Sequence, residues 1–401
     1  MDMGLRIALY SHDAQGLGHA RRNLNLARSL IRSNPDSDIL LICGTPHVAG
    51  LNVPGNIDTL ILPQIRKDAD GNYKSKARIR SLSDTLSLRG EILTTTLSKF
   101  QPDILIVDKH PFGLKGELRP AMDLLRQKGT LMILGVRDIL DDPNVAQDEW
   151  RKAEGPLAVH DYYTAAWIYG DQSINDPTAA FLLSEQDSSK KIFTGYLNPL
   201  ELESRSGDSL CLPSGLEALG SYCLCQLGGG QDGVGLAKMF MEAEYGRDRS
   251  GVIILGPFMD ESSRSFLKAK AKSRSDLYVL GFASPMLPII AKADCVVSLG
   301  GYNSVCEILS LNKRALIIPR TKPRTEQLIR AKKMHAYGLV DYIRPESLSA
   351  TMLSDWISAS TSSISSQQAA ASLDFGGFSR IPELVSSMVE KRNRDALVCQ
   401  R

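Results

Sequence analysis

Residues 293–309 constrain the fold of this chain more than any other stretch. A short β-rich apolar run, Cys295 to Val297, leads to the pair Gly300-Gly301, and a helical pattern with Ile308, Leu309 and Leu311 on its apolar side follows. Glycine permits a sharp turn and lets a ligand approach the backbone. The helix behind the turn offers unpaired N–H groups and the positive end of its dipole, a seat suited to phosphate. A plainer alternative stands beside this: Ser304-x-x-Glu307 also reads as a capping box, which needs no ligand.

The same strand–turn–helix grammar recurs along the chain. Strands are expected at 6–10, 38–43, 59–62, 101–108, 130–134, 166–169 and 191–195, and again at 222–227, 251–255 and 277–280. Helical patterns fall between many of them, which implies βαβ units and parallel sheets. At 401 residues the chain exceeds one ordinary core and suits two domains. The expected class is α/β, with two Rossmann-like parallel-sheet domains facing a cleft. The boundaries expected are 1–198 for an acceptor-side domain, 199–220 for a polar linker containing Gly207, Pro213 and Gly215, 221–374 for a donor domain, and 375–401 for a terminal segment with an amphipathic helix.

Composition excludes more than it assigns. Hydrophobic content of 43% and charged content of 23% are those of a soluble globular protein, and a formal charge of +2 argues against a nucleic-acid binder. No apolar run reaches the ~20 residues of a membrane span, and no leader is visible before the first strand. Seven cysteines without framework spacing suit a reducing cytoplasm. Cys223-Leu224-Cys225 is read as structural, its two thiols expected on opposite faces of their strand, rather than as zinc ligands.

The first glycine loop, Gly16-x-Gly18, follows the first strand, but Arg21 stands where a dinucleotide fingerprint needs its third glycine, so an NAD site is rejected. Residues 65–90 are rich in Arg66, Lys67, Lys74, Lys76, Arg78, Arg80 and Arg89. They suit a solvated loop and helix face, or an acceptor-side loop that meets an anionic substrate or the inner face of a membrane. Asp141-Asp142 precedes Pro143 and is read as a turn; no metal site is expected.

The run Leu299-Gly300-Gly301-Tyr302-Asn303-Ser304-Val305-Cys306-Glu307, with Glu326-Gln327 some twenty residues on, resembles the nucleotide-sugar signature of the two-domain (GT-B) glycosyltransferases. Within that superfamily the chain looks closer to the bacterial branch that includes the N-acetylglucosaminyltransferase forming lipid II, and resembles a group of predicted bacterial glycosyltransferases from that branch. The resemblance implies transfer of a sugar from a nucleotide diphosphate sugar, UDP-linked, to a hydroxyl acceptor that is a small molecule, a glycan or a lipid-linked molecule. It implies inversion without a metal or other cofactor, and a cytoplasmic protein that can sit peripherally at the inner membrane face.

By the same resemblance Gly300, Gly301 and Ser304 seat the diphosphate, with Asn303 in the motif. Glu307 holds the ribose diol, and Glu326 and Gln327 hold sugar hydroxyls. Gly229, Gly230 and Gln231 form the opening loop of the donor domain, while Phe282 and Ala283 border the nucleobase. Gly16, Gly18 and Arg21 fall on the acceptor side, and the last helix crosses back onto the first domain. Leu299 departs from the family, which often has a phosphate-binding His there. His19 is the expected general base, since an imidazole titrates near neutrality, and Asp108 its partner; His12 is a close competitor. Two other readings stay open: a nucleotide-sugar 2-epimerase of the same fold, and a non-catalytic nucleotide-sugar-binding subunit.

Overall fold

The computed structural model describes residues 4–13, 16–67, 72–203, 212–213, 215–359 and 373–399; Gly207 and most of the Ser-rich 354–372 stretch lie outside them. The chain forms two compact units, Met1–Leu197 with Gly376–Arg401, and Asn198–Phe375.

The strands of the first unit are β1 (Arg6–Tyr10), β2 (Asp38–Cys43), β3 (Ile57–Ile61), β4 (Ile65–Lys67), β5 (Tyr73–Ser75), β6 (Ile104–Asp108), β7 (Leu131–Arg137), β8 (Ala165–Tyr169) and β9 (Lys191–Phe193). The second unit adds β10 (Ser221–Gln226), β11 (Arg249–Ile254), β12 (Leu277–Leu280), β13 (Cys295–Ser298), β14 (Ala315–Ile317) and β15 (Asp341–Tyr342). The first sheet runs β3-β2-β1-β6-β7-β8-β9 and the second β12-β11-β10-β13-β14-β15. Every pairing in both is parallel. Each sheet therefore reverses strand order next to its first strand, between β1 and β6 and between β10 and β13. Such a reversal opens a crevice at the carboxyl ends of the strands, where α/β proteins bind ligands.

Helices cover the sheets, so the strands read as continuous apolar runs instead of alternating ones. In the first unit Ala8, Tyr10, Leu105 and Val107 pack with Leu93 and Leu97 of the helix Leu82–Phe100 and with Met122 and Leu125 of the helix Arg119–Gln127. In the second, Cys225, Leu227, Ile253 and Val297 pack with Leu236 and Phe240 of the helix Val234–Glu242. The helix Gly377–Cys399 belongs to the first unit: the Ser29 hydroxyl donates to the Phe378 carbonyl, and Arg380 donates to the Thr194 carbonyl at 2.7 Å.

Two expectations are corrected here. Cys223 and Cys225 lie in the same buried cluster, on one face of β10, as positions i and i+2 of a strand must. Cys295, the register partner of Cys223 on β13, joins them with its Sγ 3.0 Å from that of Cys223. Arg89 leaves the basic surface altogether. It is fully buried, Nε and Nη2 each donating to Glu117 at 2.6 Å and Nη1 to the Pro63 carbonyl at 2.8 Å. Tyr10 completes this group by donating to the same carboxylate at 2.5 Å. A buried guanidinium needs such a partner, since an unpaired charge there costs several kcal/mol.

Candidate functional site

In the first unit the loop after β1 brings His12 and Asp13 to the carboxyl edge, and the helix Gly18–Ser33 starts immediately beyond. The Ala20 N–H in that helix's first turn donates to Asp13 Oδ1 at 2.9 Å, and the Ser11 hydroxyl donates to Oδ2. An anion there also complements the helix dipole. The capping fixes His19, in the first turn, against Asp108 at the end of β6: Nδ1 lies 3.0 Å from Oδ2. Arg22, one turn further along the helix, donates through Nη2 to both carboxylate oxygens, at 2.7 Å to Oδ1, and the same nitrogen is 2.9 Å from His19 Nδ1. Asp108 is 1% exposed and Arg22 3%, while the His19 side chain keeps 17% of its surface open, so the carboxylate is interior and the imidazole reaches outward.

Electrostatics follow from that arrangement. Burial works to raise the Asp108 pKa, but the Arg22 charge and then His19 outweigh it and hold the carboxyl well below its usual range. Burial lowers the His19 pKa from 6.5, Asp108 opposes it, and Arg22 and Arg137 add to the lowering. Two more imidazoles adjoin. The His12 ring centroid lies 5.3 Å from that of His19 and 4.5 Å from that of His110. Burial, then neighbouring imidazoles and Lys109, push both His12 and His110 well below 6.5. His12 Nδ1 and His110 Nε2 have no hydrogen-bond partner.

Gly16 and Arg21 flank this group half-buried and Gly18 is exposed. The β4–β5 hairpin and the segment after it present Arg66, Lys74, Lys76, Arg78 and Arg80 around a concavity of about 420 Å³, with Ile79 fully exposed beside them.

In the second unit β13 ends at Ser298, and the helix Tyr302–Ser310 begins after Gly300 and Gly301. Gly300 has φ +77°, and a Cβ there would stand 2.5 Å from Ile317 Cγ2, so only glycine fits. Gly301 is the N-cap and supplies no side chain to the first N–H groups. Ser304 therefore lies inside the helix, which excludes the capping-box alternative. Glu307 faces the sheet, 2% exposed, and its Oε2 accepts from Gln226 Nε2, at the end of β10, at 3.1 Å. Asn303 is half-buried in the first turn.

After β10, Gly228, Gly229 and Gly230 turn the chain, and a Cβ on Gly230 would stand 2.8 Å from the Gly256 Cα. Here the missing side chain serves packing of two loops. Gln231 is exposed, as is Phe282 at 44%, and Ala283 is half-buried. Glu326 opens the helix Glu326–Ala336 and is 8% exposed, 3.4 Å from the buried Arg330, which also donates to the Gly300 carbonyl at 3.3 Å. The Gln327 side-chain oxygen accepts from the Arg320 N–H at 2.9 Å.

The structure thus joins His19 to Asp108 in the first unit. In the second it groups Gly300, Gly301, Ser304 and Glu307, with Glu326 linked to Gly300 through Arg330. Sequence reasoning missed Arg22, Gln226 and Arg330. Only Arg22 left a signal: it stands three residues after His19, a spacing that puts both on one helix face.

Several solved structures share this two-domain architecture, the GT-B fold. The kitacinnamycin glycotransferase aligns over 96% of this chain and 99% of its own, with a TM-score of 0.62 and 15% identity. MurG of Acinetobacter baumannii aligns over 96% and 99%, with 0.58 and 12%. A Listeria monocytogenes protein assigned provisionally as a UDP-N-acetylglucosamine 2-epimerase aligns over 97% of each chain, with 0.66 and 13%. Identities this low establish the fold alone. No curated protein matches the chain. Residues 243–380, however, match the glycosyltransferase family 28 C-terminal domain, a span that includes Gly300 through Gln327. The chain thus carries a glycosyltransferase family 28 C-terminal domain within a GT-B fold.

Proposed function

We propose that the chain transfers a sugar from a nucleotide diphosphate sugar, UDP-linked, to a hydroxyl acceptor, with inversion and without a metal. The observation that carries this reading is the 3.0 Å contact between His19 Nδ1 and Asp108. With the Nδ1 proton given to the carboxylate, Nε2 keeps a lone pair for the acceptor hydroxyl. As the acceptor's hydroxyl proton moves to Nε2, with Nδ1–H still donating to Asp108, the acceptor oxygen bonds to the anomeric carbon. The bond from that carbon to the phosphate oxygen breaks, and the nucleoside diphosphate departs. Asp108 favours the imidazolium so formed. A single displacement inverts the anomeric centre.

The leaving diphosphate would be met by the backbone at Gly300 and Gly301, the Ser304 hydroxyl and the N-terminus of the helix Tyr302–Ser310. These groups supply charge compensation that needs no cation. Glu307 would take the ribose diol, and Glu326 and Gln327 the sugar. The base belongs to one unit and the donor seat to the other, so turnover needs both. The exposed cations from Arg66 to Arg80, with Ile79 among them, suit peripheral contact with an anionic membrane surface, and such contact fits a lipid-linked acceptor. Among the described residues no helix is long and apolar enough to cross a membrane.

Epimerisation is the second reading, because His12 lies with its ring 5.3 Å from that of His19 and 4.5 Å from that of His110, more acid–base capacity than transfer needs. A thermal-shift screen of UDP, GDP, dTDP and ADP with their sugars identifies the donor, since ligands that bind the folded state stabilise it. Incubation with that donor then decides. Transfer or slow hydrolysis, lost in His19→Ala, supports the transferase; a C2-inverted sugar nucleotide supports the epimerase. Binding without turnover leaves a carrier.

A further inference from the structure

A carboxylate buried against an imidazole, with nothing else near, favours the imidazolium. An imidazolium cannot accept a proton, so such a pair alone would be a poor base at neutral pH. The third member of the cluster changes this balance. Arg22 Nη2 lies 2.7 Å from Asp108 Oδ1, binds Oδ2 as well, and stands 2.9 Å from His19 Nδ1. Its side chain is 2% exposed, so solvent screens it little, and its guanidinium carbon sits 5.7 Å from the Tyr169 ring centroid.

We propose that Arg22 is a positioning residue for this pair, holding Asp108 as a bound anion and keeping His19 a neutral imidazole with Nδ1–H directed at the carboxylate. The inference rests on the reading of His19 as the base.

The competing contact decides the tautomer. If Arg22 donated to Nδ1, the ring proton would sit on Nε2 and no lone pair would face an acceptor. A carboxylate is the stronger acceptor for a guanidinium, and here both its oxygens are in reach of the same nitrogen. Arg22 therefore donates to Asp108, and Nδ1 donates there too. The other charged and titratable groups around His19 are Asp13 and His12 from the loop after β1, His110 from the loop after β6, and Arg137 at the end of β7. Two carboxyl groups and two guanidiniums thus act on the ring. Removing Arg22 leaves the carboxylates in excess.

The test reads His19 directly. In the full-length protein with ¹³C-labelled histidine, the His19 titration midpoint is followed by NMR without substrate, in the wild type, Arg22→Gln and Arg22→Lys. Arg22→Gln is expected to raise the midpoint by about one pH unit or more, and Arg22→Lys, which keeps the charge, by less than half of that. The acid limb of the pH–rate profile for donor turnover should move with it. A folded Arg22→Gln protein with an unmoved midpoint overturns the proposal.

If Arg22→Gln does not fold, the double variant Arg22→Met/Asp108→Asn is compared with Asp108→Asn alone, which avoids an unpaired buried carboxylate. A higher midpoint in the double variant supports the role of Arg22, and equal midpoints overturn it. The reading of function fails separately: if His19→Ala keeps full turnover, His19 is not the base, whatever Arg22 does to its midpoint.

Discussion

The two crevices lie at the same reversal of strand order, and in each a side chain at the end of a central strand reaches a helix that follows the neighbouring strand. In the first unit Asp108, ending β6, meets His19 on the helix after β1; in the second Gln226, ending β10, meets Glu307 on the helix after β13. The contents differ sharply. The first crevice gathers imidazoles, carboxylates and guanidiniums whose protonation depends on one another. The second is made of glycines, a helix N-terminus and a neutral amide supporting one carboxylate. Topology supplies the address in both cases, and under the proposed function local residue choice makes one a place for a proton and the other a place for an anion.

The sharpest way to break this comparison is at His19. His19→Ala should lower turnover by about 10²–10⁴-fold, the usual worth of a general base, while donor affinity measured by calorimetry stays near the wild-type value. Asp108→Asn should also slow the reaction, and the double variant should be little worse than His19→Ala alone, because the pair acts as a unit. His12→Ala should be milder. If it proves the more damaging of the two histidine changes, His12 is the base. If loss of His19 weakens donor binding as much as turnover, the division of labour between the crevices is wrong.

The matching test in the second unit is Glu307→Ala, expected to weaken nucleotide binding by about 1–3 kcal/mol. Glu307 also anchors Gln226, so the measurement is made per folded molecule. Unchanged affinity with a lowered melting temperature would leave Glu307 a structural residue. Replacing Glu326 or Gln327 should reduce affinity for the sugar nucleotide more than for the free diphosphate. Equal losses would remove both from sugar recognition, in keeping with their contacts to Arg330 and Arg320.

Acid should separate the units as well. His12, His19 and His110 all have folded pKa values below 6.5, chiefly through burial. Below pH 6.5 the unfolded chain takes up protons that the folded one refuses, so stability is complete above that value and is lost as pH falls. The Asp108 carboxylate, depressed when folded, adds its own loss only below about pH 3.8. Residues 226–233 and 298–307 contain no histidine. Hydrogen exchange at pH 7 and pH 5, corrected for intrinsic rates, should show protection falling in β1 and β6 before β10 and β13. Equal loss in both sheets would count against the buried imidazoles as its cause.

Much of this was legible in residue order because buried parallel strands are continuous apolar runs and their ends carry the ligands. The runs ending at Asp108 and Ser298 stand out for that reason, and so do the glycine loops. What stayed hidden depends on contacts between distant segments. Nothing near Arg89 in sequence announces Glu117, so it looked like one more cation in a basic stretch. Gln226 looks like the polar end of a strand until Glu307 is placed beside it. The cysteines teach a simpler lesson: two-residue spacing puts Cys223 and Cys225 on one face, and Cys295 could then have been sought as a neighbour.

The smallest expected effect sharpens the comparison most finely, because it divides two adjacent glycines. Gly300 is needed by the fold: φ is positive and Ile317 blocks a Cβ, so Gly300→Ala should destabilise the second unit whatever the ligand. Gly301 has no such need. Its φ is −61°, and a Cβ there meets nothing within 4 Å. The fold should absorb Gly301→Ala with a change of about 1 kcal/mol or less, the modest preference for glycine over alanine at an N-cap. If a diphosphate approaches the backbone at this position, the added methyl group occupies its path, and donor affinity should fall several-fold while the melting temperature barely moves. Calorimetry and thermal denaturation on the same preparation give both numbers. Affinity that survives Gly301→Ala intact would move the phosphate seat away from this helix.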